Sequence, residues 1–508
     1  MARAEHQRTG LKPGVSSTPR PSLPDVRILA DTPPPSPVAA VLPEPPIPEG
    51  RSSQHAMRRK DRILHLRRSA KVTTHQWRRT AVYWVGAVLV GIVAVLFARL
   101  GDWAAGVRHQ IVGWHPTAML VVAPAGLALI TWATRTIFKG AQGSGIPQTI
   151  ATLHIENVAV VDRVLSLKTS LGKILLTSFG LICGASIGRE GPSVQVGASI
   201  MHAFSRLLGQ SNITARRSMI LAGGAAGMAA AFNTPLAGIM FAIEELSHSF
   251  EQKASGRTLT VVVLSGVTAI ALIGNYTYFG HADVDVPVGT AWIAVLTCGI
   301  LGGLAGGSFS AILIKASRGI PGRVGQFAAK RPIAFAAACG FVLALIGLVS
   351  KGATYGTGYD QARAIFNGTE HYPASFFILK YLAMIVSYCS GIPGGMFAPS
   401  LAIGAGIGGW VEQFLPHTTP GAVVLLGTVA YFCGMSQSPL TATIIVMEMC
   451  DNQQVTLALL ATSFLAFGVS KMICPHSLYS SLADRFMEAN DRGAHHNHPP
   501  PADRKPVP

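Results

Sequence analysis

From Thr80 onward the chain is a succession of apolar runs separated by short polar or glycine-rich breaks. The clearest are "AVYWVGAVLVGIVAVLFARL" (81–100), "AMLVVAPAGLALITWAT" (118–134), "WIAVLTCGILGGLAGG" (292–307) and "IAFAAACGFVLALIGLV" (333–349). Several reach the roughly 20 residues a helix needs to cross a hydrocarbon core, and others are shorter and broken by Gly or Pro. The pattern predicts an all-α polytopic membrane protein. Broken spans are tolerated at membrane depth only where their backbone is buried in protein or lines an aqueous cavity. The pattern also sets the expected boundaries: a disordered tail over 1–75, a transmembrane domain over 76–486, and a second polar tail over 487–508.

Composition agrees with this reading, since 49% of the 508 residues are hydrophobic, 13% are charged and the mean hydropathy is +0.39. The N-terminus holds the Pro-rich tract "DTPPPSPVAAVLPEPPIPEG" and not a charged start followed by an apolar core, so no cleavable signal peptide is expected. Between that tract and the first span lies "RRKDRILHLRRSAKVTTHQWRR". A basic block beside a span reads as a positive-inside anchor. It keeps the N-terminus cytoplasmic and assigns much of the net charge of +17 to topology and anionic lipid rather than nucleic acid; the location expected is the cell (inner) membrane, with both termini cytoplasmic. The seven cysteines lack CxxC spacing and read as packing thiols. His495, His496 and His498 lie in a polar tail that reads as solvated. No metal and no cofactor are expected.

Two signatures occur twice in the same order. "GPSVQVGASI" (191–200) matches "APSLAIGAGI" (398–407), and "PLAGIMFAIEE" (235–245) matches "PLTATIIVMEM" (439–449), each of the latter pair with Pro-Leu followed by a glutamate, Glu244 or Glu448. The nearly equal offsets imply a duplicated half of about 200 residues, spanning about 80–275 and 290–486. Duplication in a polytopic protein signals a transporter-like fold, with paired broken helices meeting at mid-membrane. Span counting by hydropathy leaves parallel and inverted halves both open.

The breaks themselves carry the chemistry. "GSGIP" (143–147), "GREGP" (188–192) and "GGMFAP" (394–399) each place glycine before a proline that opens an apolar run. Proline suits the first turn of a helix, and glycine permits the backbone needed just before it. Each motif therefore predicts a helix N-terminus inside the membrane, exposing unpaired N–H groups and the positive end of the helix dipole. Several such ends aimed at one point bind an anion without a full positive charge. Partial charges hold it loosely enough to let it leave. A small inorganic anion is the expected substrate.

In order and spacing, "GSGIP", "GREGP", "GGMFAP" and the later "LYSS", with "FNTPLAGIMFAIEE" between, resemble the CLC chloride channels and chloride/proton antiporters over about residues 80–486. The resemblance implies an inverted-repeat membrane protein, a homodimer with one pathway per subunit. It implies that Ser144 and Tyr479 donate hydroxyls to a central chloride. Gly145, Ile146, Gly188, Arg189, Glu190, Gly191, and the amides of Met396 and Phe397 complete the surroundings. The family's nitrate-preferring and fluoride-exporting branches replace that serine, so Ser144 points to chloride. Read alone, Ser144 is also a candidate helix cap and Tyr479 an interfacial anchor.

Glu190 is the costly residue of "GREGP". A charge at mid-membrane costs about 2.5–3.5 kcal/mol on insertion scales, while a helix N-terminus returns about 0.3–1 kcal/mol, rising to about 2. The strain is relieved when the carboxylate occupies an anion site itself or takes a proton and swings away. Burial and a nearby anion both favour the protonated form, which links anion to proton at one side chain. The resemblance makes Glu190 the gate and outer proton acceptor, with Arg189 its orienter or an electropositive lure. A plain Arg189–Glu190 ion pair is the simpler alternative. Glu245 matches the family's inner proton-transfer residue, and Glu244 is a candidate lining of its water access. Relatives often carry acids after "GSGIP"; here Gln148, Thr149 and Ile150 follow. Chloride/proton exchange is the leading expectation, against a passive chloride channel of the same fold and a cation-coupled organic-anion symporter. Without HExxH, GxSxG or paired aspartates on helices, an enzyme is not expected.

Overall fold

Apolar runs become helices, and the breaks between them become helix ends. The computed structural model describes residues 51–210, 212–247, 256–274, 279, 292–370, 372–415 and 421–497, with side chains described between 80 and 490. The chain divides into a unit Met1–Ser69 and a unit Ala70–Pro508, and the second carries the membrane-spanning segments. Most of the expected N-terminal tail lies outside the described residues, as do His498 and the side chains of His495 and His496.

The first half contains α1 (Arg51–Trp114), α2 (Met119–Thr136), α3 (Ile146–His154), α4 (Val158–Val164), α5 (Leu167–Ile182), α6 (Glu190–Leu207), α7 (Ile213–Phe232), α8 (Pro235–Phe241) and α9 (Gly256–Ile273). A π-helical turn, Ala242–Ser247, extends α8. The second half contains α10 (Trp292–Arg318), α11 (Gly322–Lys330), α12 (Pro332–Val349), α13 (Tyr359–Phe366), α14 (Ser375–Cys389), α15 (Phe397–Glu412), α16 (Ala422–Ser436), α17 (Pro439–Cys450) and α18 (Thr456–Ile473). Last comes α19 (Leu478–Asn497), which runs past residue 486, where the sequence pattern loses its apolar character; an amphipathic helix needs only one apolar stripe to continue. Seven helical segments among the described residues are long and apolar enough to cross a membrane. Leu96, Val121, Ile300 and Phe464 on them are exposed, as suits surfaces solvated by hydrocarbon.

The duplication appears as repeated packing. α6 packs on α7 as α15 does on α16; α7 on α9 as α16 on α18; α5 on α6 as α14 on α15. Glycines permit the closest of these approaches. A Cβ on Gly197 would strike the backbone of Gly223, and one on Gly404 that of Gly427, so both α6–α7 and α15–α16 meet along small residues. Two helices, α2 and α8, pack on their own counterparts, α12 and α17.

The sense of the repeat is fixed at the last of these pairs. Glu448, near the end of α17, accepts from the first-turn amides of α8, Leu236 N (3.1 Å) and Ala237 N (2.7 Å). Glu244, just beyond α8, accepts from those of α17, Leu440 N (3.2 Å) and Thr441 N (2.6 Å). Each helix thus begins where the other ends, and the halves are antiparallel. Of the two senses the sequence allowed, the inverted one is observed.

Candidate functional site

The three glycine breaks meet because their backbones are stitched together. Gly188 N donates to Gly395 O (2.8 Å) and Gly395 N to Gly188 O (2.7 Å); Gly143 N donates to Ile392 O and Gly394 N to Gly143 O, both at 3.3 Å. The N-termini of α3, α6 and α15 are joined in this way. α6 begins at Glu190 and α15 at Phe397, two residues before Pro192 and Pro399, so each proline occupies the first turn, where its missing N–H costs nothing. Gly191 packs so closely on Ser144 that a Cβ there would lie 2.5 Å from its Oγ.

Two buried hydroxyls belong to this meeting point. Ser144 Oγ and Tyr479 Oη, with 1% and 0% of their residues exposed, have no hydrogen-bond partner among the described residues. Buried donors are ordinarily satisfied, so two orphans beside helix N-termini fit an anionic ligand. Phe397 packs edge-on against Tyr479 (ring centroids 5.6 Å apart) and Phe432 (4.8 Å), which fixes the first turn of α15. Met396 caps that helix, and its first-turn amides have no carbonyl a turn earlier to bind. Ile146, at the start of α3, is fully buried. Not every expected amide is available, however. The Gly188 N–H is engaged by Gly395, and the Gly145 N–H by Gln148 Oε1 at 2.9 Å; these two glycines frame the site.

Glu190 is completely buried. Tyr359 Oη donates to its Oε1 at 2.6 Å. Its carboxyl faces the amides of Glu190 and Ala398, although Oε2 completes no hydrogen bond of ordinary geometry. The carboxyl therefore sits at the positive end of α15. Arg189 does not pair with it: the guanidinium donates to Ala98 O (2.6 Å) and Asp102 Oδ1 (2.8 Å) on α1. It lines a cavity of about 400 Å³ with Arg99, Asp102, Tyr359, Asp360 and Arg363, three arginines against two aspartates, which leads to Glu190 through Tyr359.

Glu245 and Glu244 diverge because the π turn carries them in different directions. Glu245 is buried and accepts from Ser438 Oγ, and Tyr479 faces both Glu245 and Glu190. Glu244 caps α17, accepting from Leu440 N and Thr441 N. Its counterpart Glu448 caps α8, but the residue after it is the buried Met449, so only the first half carries a second carboxyl here.

Sequence reasoning missed three residues. Lys173 and Lys380, both fully buried, stand 207 positions apart. Lys173 Nζ donates to Gly143 O (2.9 Å) and Gln142 O (3.3 Å); Lys380 Nζ donates to Gly356 O (2.8 Å) and Thr354 O (2.9 Å). Each pins the turn before a short helix, α3 or α13. Tyr359 is the third. The only sequence signal was the shared G-x-G of "GSG" and "GTG", weak in a chain with 54 glycines. Gln148 Nε2 also donates to Gln142 O (2.8 Å), which a carboxylate cannot do; Thr149 Oγ1 donates to Gly145 O and Ile150 is core.

Antiparallel halves whose broken helices join around unpartnered donors and a buried carboxyl define a multi-pass membrane protein built to pass an anion. Residues 126–471 match the family described as voltage gated chloride channel, and the chain belongs to it. It is 28% identical over 472 residues to the H(+)/Cl(-) exchange transporter ClcA of Salmonella typhimurium, covering 88% of this chain and 96% of that protein. Its fold is similar to that of a slow cyanobacterial Cl-/H+ antiporter (TM-score 0.71, 23% identity, 82% of this chain and 99% of that one). It is also similar to that of a CLC-type fluoride/proton antiporter (TM-score 0.66, 22% identity, 79% and 96%).

Proposed function

We propose that the chain exchanges chloride for protons across the membrane, with Glu190 as gate and Glu245 as inner proton acceptor. The carrying observation is the Glu190 carboxyl set against the first turn of α15, where an anion would be bound. Ionised, it competes with chloride for the amides of α15; protonated, it loses its hold on the positive helix end and releases the path. Chloride then takes the Ser144 and Tyr479 hydroxyls, each offering one directional donor at low desolvation cost, with the Met396 and Phe397 amides. The proton passes between Glu190 and Glu245 alongside Tyr479, which faces both, and Glu245 exchanges it with the cytoplasm. Arg189, held by Asp102, draws anions into the outer cavity.

The reading extends to an inner-membrane protein with cytoplasmic termini, favoured by the basic block before the first span, and to a homodimer in lipid with a separate pathway in each subunit, favoured by the family resemblance. The names of the relatives support exchange over passive conduction. The test is reconstitution in liposomes: a chloride gradient should drive protons uphill. Chloride flux with no uphill proton movement would make the protein a channel of the same fold, and a sodium requirement would make it a symporter.

A further inference from the structure

The second half contains a break that only the repeat makes visible. Gly356-Thr357-Gly358-Tyr359 follows the backbone of Gly143-Ser144-Gly145-Ile146, with φ of +68° and +85° at its glycines against +71° and +102°. A buried lysine holds each turn, at Gly356 O and at Gly143 O. α13 starts at Tyr359 as α3 starts at Ile146. At this position the first half has an apolar side chain and the second a phenol.

We propose that Tyr359 latches the gate: its hydroxyl holds the ionised Glu190 carboxylate in the anion path and so sets the pH at which the outer mouth opens. The inference rests on the reading of Glu190 as gate. Tyr359 is half-buried, lines the outer cavity and reaches Glu190 Oε1 at 2.6 Å. It thus stands between solvent and the carboxylate. A phenol donates a stronger hydrogen bond to an ionised acceptor than to a neutral one, so the contact favours the charged, seated state. When Glu190 is protonated, that preference disappears and the hydroxyl can turn to an entering anion, as Ser144 Oγ can from the other half.

Several other groups surround Glu190. Arg189 is adjacent and tied to Asp102 of α1; Tyr479 of α19 faces it; α15 presents the Ala398 amide. Arg99 of α1 and Asp360 and Arg363 of α13 line the cavity, and Lys380 of α14 lies beside Gly358. Among the described residues, Tyr359 alone gives Glu190 a side-chain hydrogen bond. Tyr359→Phe removes that bond and keeps the ring.

The experiment measures chloride flux from liposomes against pH for the full chain, Tyr359→Phe, Glu190→Gln and the double variant. Tyr359→Phe should move the midpoint of the profile up by roughly one pH unit, because a hydrogen bond to a charged group is worth about that much. The profile should be flat in Glu190→Gln and equally flat in the double variant. A midpoint unmoved or lowered in Tyr359→Phe, with Glu190→Gln flat, overturns the latch and leaves the gate. A sloping Glu190→Gln profile overturns the gate, and the latch with it. Should Tyr359→Phe not fold, 3,5-difluorotyrosine placed at 359 keeps the ring and strengthens the donor. It should move the midpoint down, and no movement or an upward one rejects the latch.

Discussion

Glu190 and Glu245 are both buried carboxyls of the first half, yet their partners separate them: a phenol and helix amides for one, a serine hydroxyl for the other. With Glu190 as the proposed gate, protonation frees the path, and chloride flux should rise as pH falls. Glu190→Gln should keep chloride flux, lose its pH dependence and abolish uphill proton transport, all readable with chloride and pH electrodes on one liposome preparation. Glu245→Gln should leave chloride flux and its pH dependence while reducing coupled proton flux at least tenfold. Of these residues Glu190 and Glu245 were legible, since "GREGP" and "FAIEE" state them outright. Tyr359 was not, because its meaning comes from a contact 169 positions away.

At the scale of elements, α8 and α17 exchange caps through Glu448 and Glu244. Losing a cap costs about 0.5–2 kcal/mol, so Glu244→Ala and Glu448→Ala should each lower the melting temperature of the purified protein by a few degrees and leave the proton-to-chloride ratio alone. A normal melting temperature with lost coupling in Glu244→Ala would return that residue to the proton route. The glycine seams make a second prediction. Gly197→Ala and Gly404→Ala should both be severely destabilising, by about 2 kcal/mol or more, because the new methyl meets backbone on α7 and α16, which cannot rotate away as a side chain can; expression and melting of the two variants measure this. The matching "P-S-x-x-x-G-A-x-I" text announced the seams as equivalent, though not what they touch.

For the whole molecule, an approximate two-fold frame is put to an asymmetric use. Both halves supply broken helices, a buried lysine and a capping glutamate, but only the first supplies Glu190, Glu245 and the π turn that separates Glu245 from Glu244. Met449 and Tyr359 stand where the symmetry would put Glu245 and Ile146. The proposed exchange uses that asymmetry: one carboxyl competes with the anion at one end and another meets protons at the other. Linkage is reciprocal: adding chloride to the protein in weakly buffered detergent should draw protons from solution, and Glu190→Gln should show no such uptake.

By itself the sequence determined the membrane class, the duplication, the family and the residues of its breaks. These are written in local runs and recurring text, where hydrophobic length and glycine–proline chemistry act over a few neighbours. The tertiary structure decided the opposed sense of the halves, the diversion of Arg189 to Asp102 and of Glu244 to a helix end, the engagement of the Gly145 and Gly188 amides, and the contact of Tyr359 with Glu190. Each of these depends on which donor reaches a buried acceptor first, and that is set by packing between segments far apart in the chain.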